Sequence, residues 1–170
     1  MNDDIHYHVA RILLLVEAMG PRGAALDGLT KLVKLDFLLR YPQFLDRLLG
    51  RSKILWPIGL EPTEAENLAV EAPMIRYKYG PWDDRYYPIL GYLRGKGLAD
   101  VQRSEGAISI QLTKSGRALA NQLATDPAWI RVWGRAQLLR RHFNISGSAL
   151  KTRIYDELPD VVNRAHWQTI

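Results

Sequence analysis

Hydrophobic positions recur with a helical period from the beginning of the chain. Ile5, Val9, Ile12 and Val16 share one stripe, and Leu13, Leu14 and Leu15 carry apolar character nearly round the circumference, which predicts a central helix over 5–18. Gly20, Pro21 and Gly23 interrupt the pattern. Asp27 then stands as the expected cap of a second helix, from about Gly28 to Tyr41 just before Pro42. Its apolar side is Leu29, Leu32, Val33 and Phe37. Asp36 and Arg40 project close to the direction of Leu29, four residues apart in the favourable acid-first order, and are expected to pair with each other. The pair fits either the margin of a core or a polar contact inside a subunit interface. Phe44, Leu45, Leu48 and Leu49 continue as a short helix that Gly50 ends.

Residues 51–73 have no single period and read as an insert, in which Thr63 and Glu66 have capping-box spacing. Met74 to Tyr79 alternate as a short strand that Gly80-Pro81 terminates. A helix follows, with Asp83 and Asp84 in its first turn and Tyr86, Ile89, Leu90 and Leu93 on its packed face, stopped by Gly95 and Gly97. Leu98 to Arg103 and Ala107 to Thr113 flank Ser104, Glu105 and Gly106 as a hairpin, its second strand alternating Ile108, Ile110 and Leu112 with polar residues. Thr113 can cap a helix over 114–124, and Asp126 with Pro127 can start a longer one through Phe143. In that helix Trp129, Val132, Trp133, Ala136, Leu139 and Phe143 form the apolar stripe. Arg131, Arg135 and His142 lie opposite, and Arg140, near the Trp133 side, must reach outward or satisfy a helix C-terminus. A last short helix spans 148–157, before Pro159. The fold expected is mainly α with a small β hairpin: a winged-helix-like domain over 1–124, with 98–113 as its wing and an acidic insert at 51–73, and a basic helical extension over 125–170 packed on it.

Composition sharpens this picture. The 170 residues are 47% hydrophobic and 24% charged, ordinary for a folded chain, and contain no cysteine, which removes disulfides, thiolate metal sites and cysteine nucleophiles together. The net charge of +5 is unevenly placed. Residues 114–153 hold eight basic side chains against Asp126 alone, whereas Glu61, Glu64, Glu66 and Glu71 are the only charges between Ile54 and Ile75. The polarity suggests two separate contact surfaces, or two solvated faces. Arg131, Arg135 and Arg141, with Lys151 and Arg153 beyond them, form the sector suited to neutralising phosphates without reading sequence. Acid at Asp3 and Asp4, and no apolar run near the roughly 18 residues of a membrane span, predict a cytoplasmic protein with no membrane partner.

Catalytic chemistry is sparse. His6 and His8 would point about 200° apart on a helix, which disfavours a metal site. Gly50-Arg51-Ser52-Lys53 lacks the glycine-rich span of a phosphate loop. Asp83 and Asp84 read as dipole and capping acids, and at the start of a recognition helix they would oppose phosphate, so major-groove reading is disfavoured. No metal, cofactor or catalytic group is expected. Tyr77, Tyr79, Trp82, Tyr86 and Tyr87 cluster at the strand-to-helix junction. Most belong to a core, but members such as Tyr79 and Trp82 can anchor a partner.

Tyr79-Gly80-Pro81-Trp82, the following helix, Gly97-Leu98, and a hairpin ending Leu112-Thr113 before Lys114-Ser115-Gly116 resemble a segment of SocA-type antitoxin domains and of the small middle subunits of ABC-three-component antiphage systems, Lamassu-type complexes among them. The second group fits better. Lys31-Leu32-Val33-Lys34-Leu35-Asp36-Phe37-Leu38 and Leu150-Lys151 to Ile154-Tyr155 with Pro159 extend that resemblance over most of the chain. It implies a non-enzymatic subunit that joins an SMC-like ATPase to an effector, commonly a nuclease, in defence against phage or plasmid DNA. The partner contacts would fall at Asp36, Arg40, Tyr79 and Trp82, with non-specific DNA contact by the basic sector. The alternative is a free-standing winged-helix DNA-binding regulator or antitoxin.

Overall fold

The computed structural model describes residues 4–68, 75–77, 80–82 and 84–159, the two short middle segments by their backbone alone. Asp4 caps the first helix, α1 (Ile5–Met19), through its side chain, and Ile12, Leu13, Leu14, Leu15 and Val16 are all fully buried, as a helix apolar on every side requires. Each such side chain contributes about 1.5–3 kcal/mol of apolar burial. A 3-10 turn at Pro21–Gly23 leads to strand β1 (Leu26–Asp27) and then to helix α2 (Leu29–Arg40). Gly28, not Asp27, occupies the cap of α2. Asp27 is instead paired in the sheet with Ser109, and the Gly28 N–H donates to the Ile108 carbonyl. A two-residue strand has too little periodicity to be read from sequence.

Helix α3 (Pro42–Arg51) follows, and the insert carries α4 (Glu64–Leu68), whose predicted capping box forms: the Glu66 N–H donates to Thr63 Oγ1 and the Thr63 N–H to Glu66 Oε2. Strand β2 (Ile75–Tyr77) pairs antiparallel with β3 (Gly80–Trp82), so Gly80-Pro81 opens a second strand where the sequence suggested only a stop. Met74, Lys78 and Tyr79, at the ends of the predicted strand, lie outside the described residues. Helix α5 (Tyr86–Gly95) starts later than expected, with Arg85 at its cap, so Asp84 precedes the helix; Asp83 lies outside the described residues.

The wing consists of β4 (Ala99–Ser104) and β5 (Ala107–Leu112), joined through Glu105 and Gly106 in the positive-φ conformation that a tight hairpin turn needs. The strand order is β1-β5-β4, all antiparallel. A first strand paired with the last, with α1, α2 and α5 against the sheet, is the winged-helix arrangement, enlarged by α3 and α4 before its third helix. Thr113 caps α6 (Lys114–Thr125) as predicted. Asp126 forms a separate turn, its side chain accepting from the Ala128 N–H and its carbonyl from Trp129 and Ile130, so α7 begins later and spans Ile130–Phe143. Helix α8 (Gly147–Glu157), capped by Ser146, packs on α2. One apolar cluster runs from Val9 through Leu35, Leu93 and Ile110 to Leu139 and Ile154, so the C-terminal helices share the core of the wing domain.

Candidate partner-binding surface and its buried supports

The face of α7 expected to be solvated is covered. Gly134 lies between its two arginines, and a Cβ there would come within 2.9 Å of the Leu60 methyl groups, so the Leu60 side chain rests on the helix where α7 has no side chain of its own. Arg135 is 4% exposed. It donates to both carboxylate oxygens of Glu66 at 2.8 Å, to the Leu60 carbonyl at 2.9 Å and to the Glu61 carbonyl at 3.0 Å, with its guanidinium 5.8 Å from the Trp56 ring centre. Arg131 adds a 2.8 Å bond to the Glu61 carbonyl and a longer one to Glu66. Bidentate pairing of this kind is among the stronger polar contacts. It holds the Glu66 carboxyl at a pKa of about 2, through the Arg135 hydrogen bonds first, against the opposing effect of burial. Trp56 secures the other end by donating to Asp46 of α3 at 2.6 Å.

The anchored segment exposes apolar side chains. Pro57 to Leu60 form a turn closed by the Leu60 N–H to the Pro57 carbonyl, with Gly59 at φ 84° in the third position, as a type II turn requires. Ile58, in the second position, is fully exposed and Leu55 is 89% exposed. A single exposed leucine is unremarkable. Two large apolar groups on a loop fixed by a buried arginine and a tryptophan are a different case, because the backbone that carries them is already ordered and a partner that covers them gains apolar burial without the cost of ordering the loop.

A second polar cluster lies where α1, α2 and α5 meet. Asp36 is fully buried and accepts from Arg11 Nε at 2.7 Å, Arg11 Nη2 at 3.1 Å and the Tyr86 hydroxyl at 2.7 Å. The expected Asp36–Arg40 pairing is thus replaced: the hydrogen bonds come from another helix on each side, and Arg40 acts on Asp36 as a nearby charge. Burial raises the Asp36 pKa, but the Arg11 charge and hydrogen bonds outweigh it and hold the carboxyl below its usual range. The His8 ring lies between Arg11 at 2.9 Å and Arg85 at 3.0 Å. Burial and the arginine charges push its pKa down to about 4, so it is a neutral ring that accepts from one of the two. A cavity of about 70 Å³ between Tyr7, Arg11, Arg40, Glu66 and Arg135 separates this cluster from the insert anchor.

The predicted basic sector does not form one open stripe. Arg131 and Arg135 are engaged by the insert, and Arg153 donates to Ser52 at 2.6 Å and lies 4.8 Å from the Phe143 ring centre. Lys151 stands 5.3 Å from the Tyr155 ring centre. Arg141 is exposed and has no hydrogen bond or ion pair among the described residues. Of the predicted partner anchors, Asp36 and Arg40 are buried, while Tyr79 and the side chain of Trp82 lie outside the described residues. The groove between α5 and the wing, about 410 Å³ and lined by Tyr87, Gly91, Arg94, Gln102, Arg103 and Ile108, holds two further exposed arginines, Arg94 and Arg103. No group among the described residues could hold a metal ion, and none of their helices is long and apolar enough to cross a membrane. Compared with protein-family models, curated proteins and solved structures, the chain matches none.

Proposed function

We propose that this chain is a non-catalytic interaction subunit whose insert presents Leu55 and Ile58 to a protein partner. The observation that carries this reading is the pairing of full exposure at Ile58 with a backbone fixed from beneath by Arg135, Glu66 and Trp56. The partner class that the sequence resemblance implies is an SMC-like ATPase coupled to an effector nuclease, with the subunit itself hydrolysing nothing.

The test is affinity purification of the tagged full chain from its own cells, with an ATPase assay on the eluate. An SMC-like ATPase that co-purifies with the wild type and is lost from a Leu55→Asp, Ile58→Asp variant of unchanged Tm supports the proposal. ATPase or nuclease activity in the repurified chain alone, or a complex indifferent to both substitutions, overturns it. The groove with Arg94 and Arg103 favours the second reading, a DNA-binding regulator. The exposed face of α5 gives that reading little to work with, because it offers base edges only Tyr87 and Arg94 among Pro88, Gly91 and Gly95.

A further inference from the structure

Two depressions lie side by side over the wing. One, of about 410 Å³, is the groove between α5 and β4 that holds Arg94. The other, of about 310 Å³, runs from the start of α2 at Gly28 and Thr30 to the wing turn at Gly106 and Ala107. Tyr87, Arg103 and Ile108 line both, so the two meet at these side chains as one trough. No described residue of the insert lines either half.

The trough combines two chemistries. Arg94 and Arg103 are the only charged side chains among the described residues that line it; Asp100 and Glu105, the two acids of the wing, line neither half. Both arginines are exposed and have no hydrogen bond or ion pair among the described residues. Cations left without a neighbouring acid attract a polyanion. At the junction of the halves stands Tyr87, 53% exposed, whereas its neighbour Tyr86 is buried against Asp36. Val101 and Ile108 are half-buried in the same lining. A Cβ built at Gly91 would meet no atom within 4 Å, so α5 offers bare backbone to the trough at that point. An aromatic ring with apolar neighbours and open space in front of it is a surface for a flat apolar face.

We propose that the trough binds single-stranded nucleic acid, with a base stacked on Tyr87 and neighbouring phosphates held by Arg94 and Arg103. A nucleotide strand is the polymer that joins flat apolar faces to a repeating anion, and stacking on an aromatic side chain beside a basic groove is how such strands are held without regard to sequence. In a duplex the bases are already stacked on one another, so no face is free for the ring. Depressions of this volume also cannot take in a duplex, which engages the arginines from the rim alone. An acidic peptide supplies the charge without the flat faces. The site is separate from the partner contact proposed for Leu55 and Ile58 and does not depend on it.

Fluorescence anisotropy of the full chain with a labelled oligothymidylate of about twelve nucleotides tests this, with a duplex of the same length and an oligoglutamate peptide as competitors. The single strand is expected to bind at least tenfold tighter than the duplex and to resist displacement by the peptide. Tyr87→Ala should weaken the strand about tenfold while changing duplex affinity less than twofold, and Tyr87→Phe, which keeps the ring, should bind the strand as the wild type does. Arg94→Glu combined with Arg103→Glu should weaken strand and duplex together. Both arginines are on the surface, so this variant and Tyr87→Phe remain informative if Tyr87→Ala lowers Tm. The Leu55→Asp, Ile58→Asp variant should bind the strand normally, which separates failure of this site from failure of the partner contact. Absence of strand binding at low salt, a duplex bound as tightly as the strand, displacement by the peptide as effective as by unlabelled strand, or strand affinity unchanged in a folded Tyr87→Ala or in the arginine variant overturns the proposal.

Discussion

Lys34 is 1% exposed in the middle of α2, with no hydrogen-bond acceptor among the described residues, and Lys151 of α8 adds like charge. Burial first, and Lys151 second, push its pKa down to about 7 from 10.5. Above pH 10.5 the lysine is neutral in both folded and unfolded chains. As pH falls from 10.5 towards 7, the unfolded chain takes up a proton that the folded one refuses, so stability present at high pH is lost across that window. At neutral pH the penalty is on the order of a few kcal/mol. Lys34→Met should therefore raise Tm at pH 7 by about 5 °C or more, and the difference from wild type should shrink as pH rises towards 10. Thermal melts across pH 7–10 check this, and a difference constant with pH would mean that the gain is packing alone. Nothing in the sequence marks Lys34 as buried, because on a helix that also carries Lys31, Asp36 and Arg40 a lysine reads as one more solvated position. It is packing by α8, far along the chain, that removes the solvent. Asp36 and Arg40 were legible as polar groups in an apolar setting, but not as members of a network with Arg11 and Tyr86, since partners on different helices leave no spacing to read.

The insert shows what an element's local pattern can and cannot convey. Thr63 and Glu66 announced their capping box because both halves lie within one turn. Arg131 and Arg135 looked solvated because the periodicity of α7 places them opposite its tryptophan stripe, and periodicity is silent on whether a polar face is later covered. Gly134 was the available signal: a glycine within a helix costs about 1 kcal/mol relative to alanine and often marks a close approach. Arg135→Met should leave Glu66 without its principal partner and loosen the loop more than the core. The expected result is faster proteolytic cleavage within 54–68 with a smaller fall in Tm, measured on the same samples. The Glu66 pKa, depressed from 4.5 to about 2, makes the anchor pH-sensitive with a definite sign. Its contribution is complete above pH 4.5 and is lost as pH falls towards 2. Cleavage of the wild type should accelerate in that acid window, whereas the Arg135→Met loop should be cleaved at a rate less sensitive to pH. Equal acceleration in both would assign the acid response to other carboxylates.

Across the whole molecule, a net charge of +5 arises from a basic C-terminal third and an acidic insert that fold against each other. Sequence order made them look like two separate contact surfaces or two solvated faces, and the winged-helix order itself was legible because the hairpin and capping signals are local. The meeting of Glu66 with Arg135, 69 residues apart, is tertiary and was not. This internal pairing shifts where phosphate contacts can fall. With Arg131, Arg135 and Arg153 held by intramolecular partners, the exposed arginines Arg94 and Arg103 beside the wing become the better electrostatic footing for a duplex. Two phosphate contacts give a weak, sequence-independent and salt-sensitive interaction, with roughly 0.9 unit of log–log salt slope for each. Arg94→Glu combined with Arg103→Glu should flatten that slope by about two units for specific and scrambled duplexes alike, at unchanged Tm. Arg135→Glu, which sets a glutamate against Glu66, should instead lower Tm, and any change it causes in duplex binding should follow the unfolding. Titrations at several salt concentrations, paired with melts of each variant, separate the two faces. If the wing variant binds as the wild type does while Arg141→Glu alone removes a unit of slope, the duplex lies along α7 and the C-terminal sector recovers its expected role.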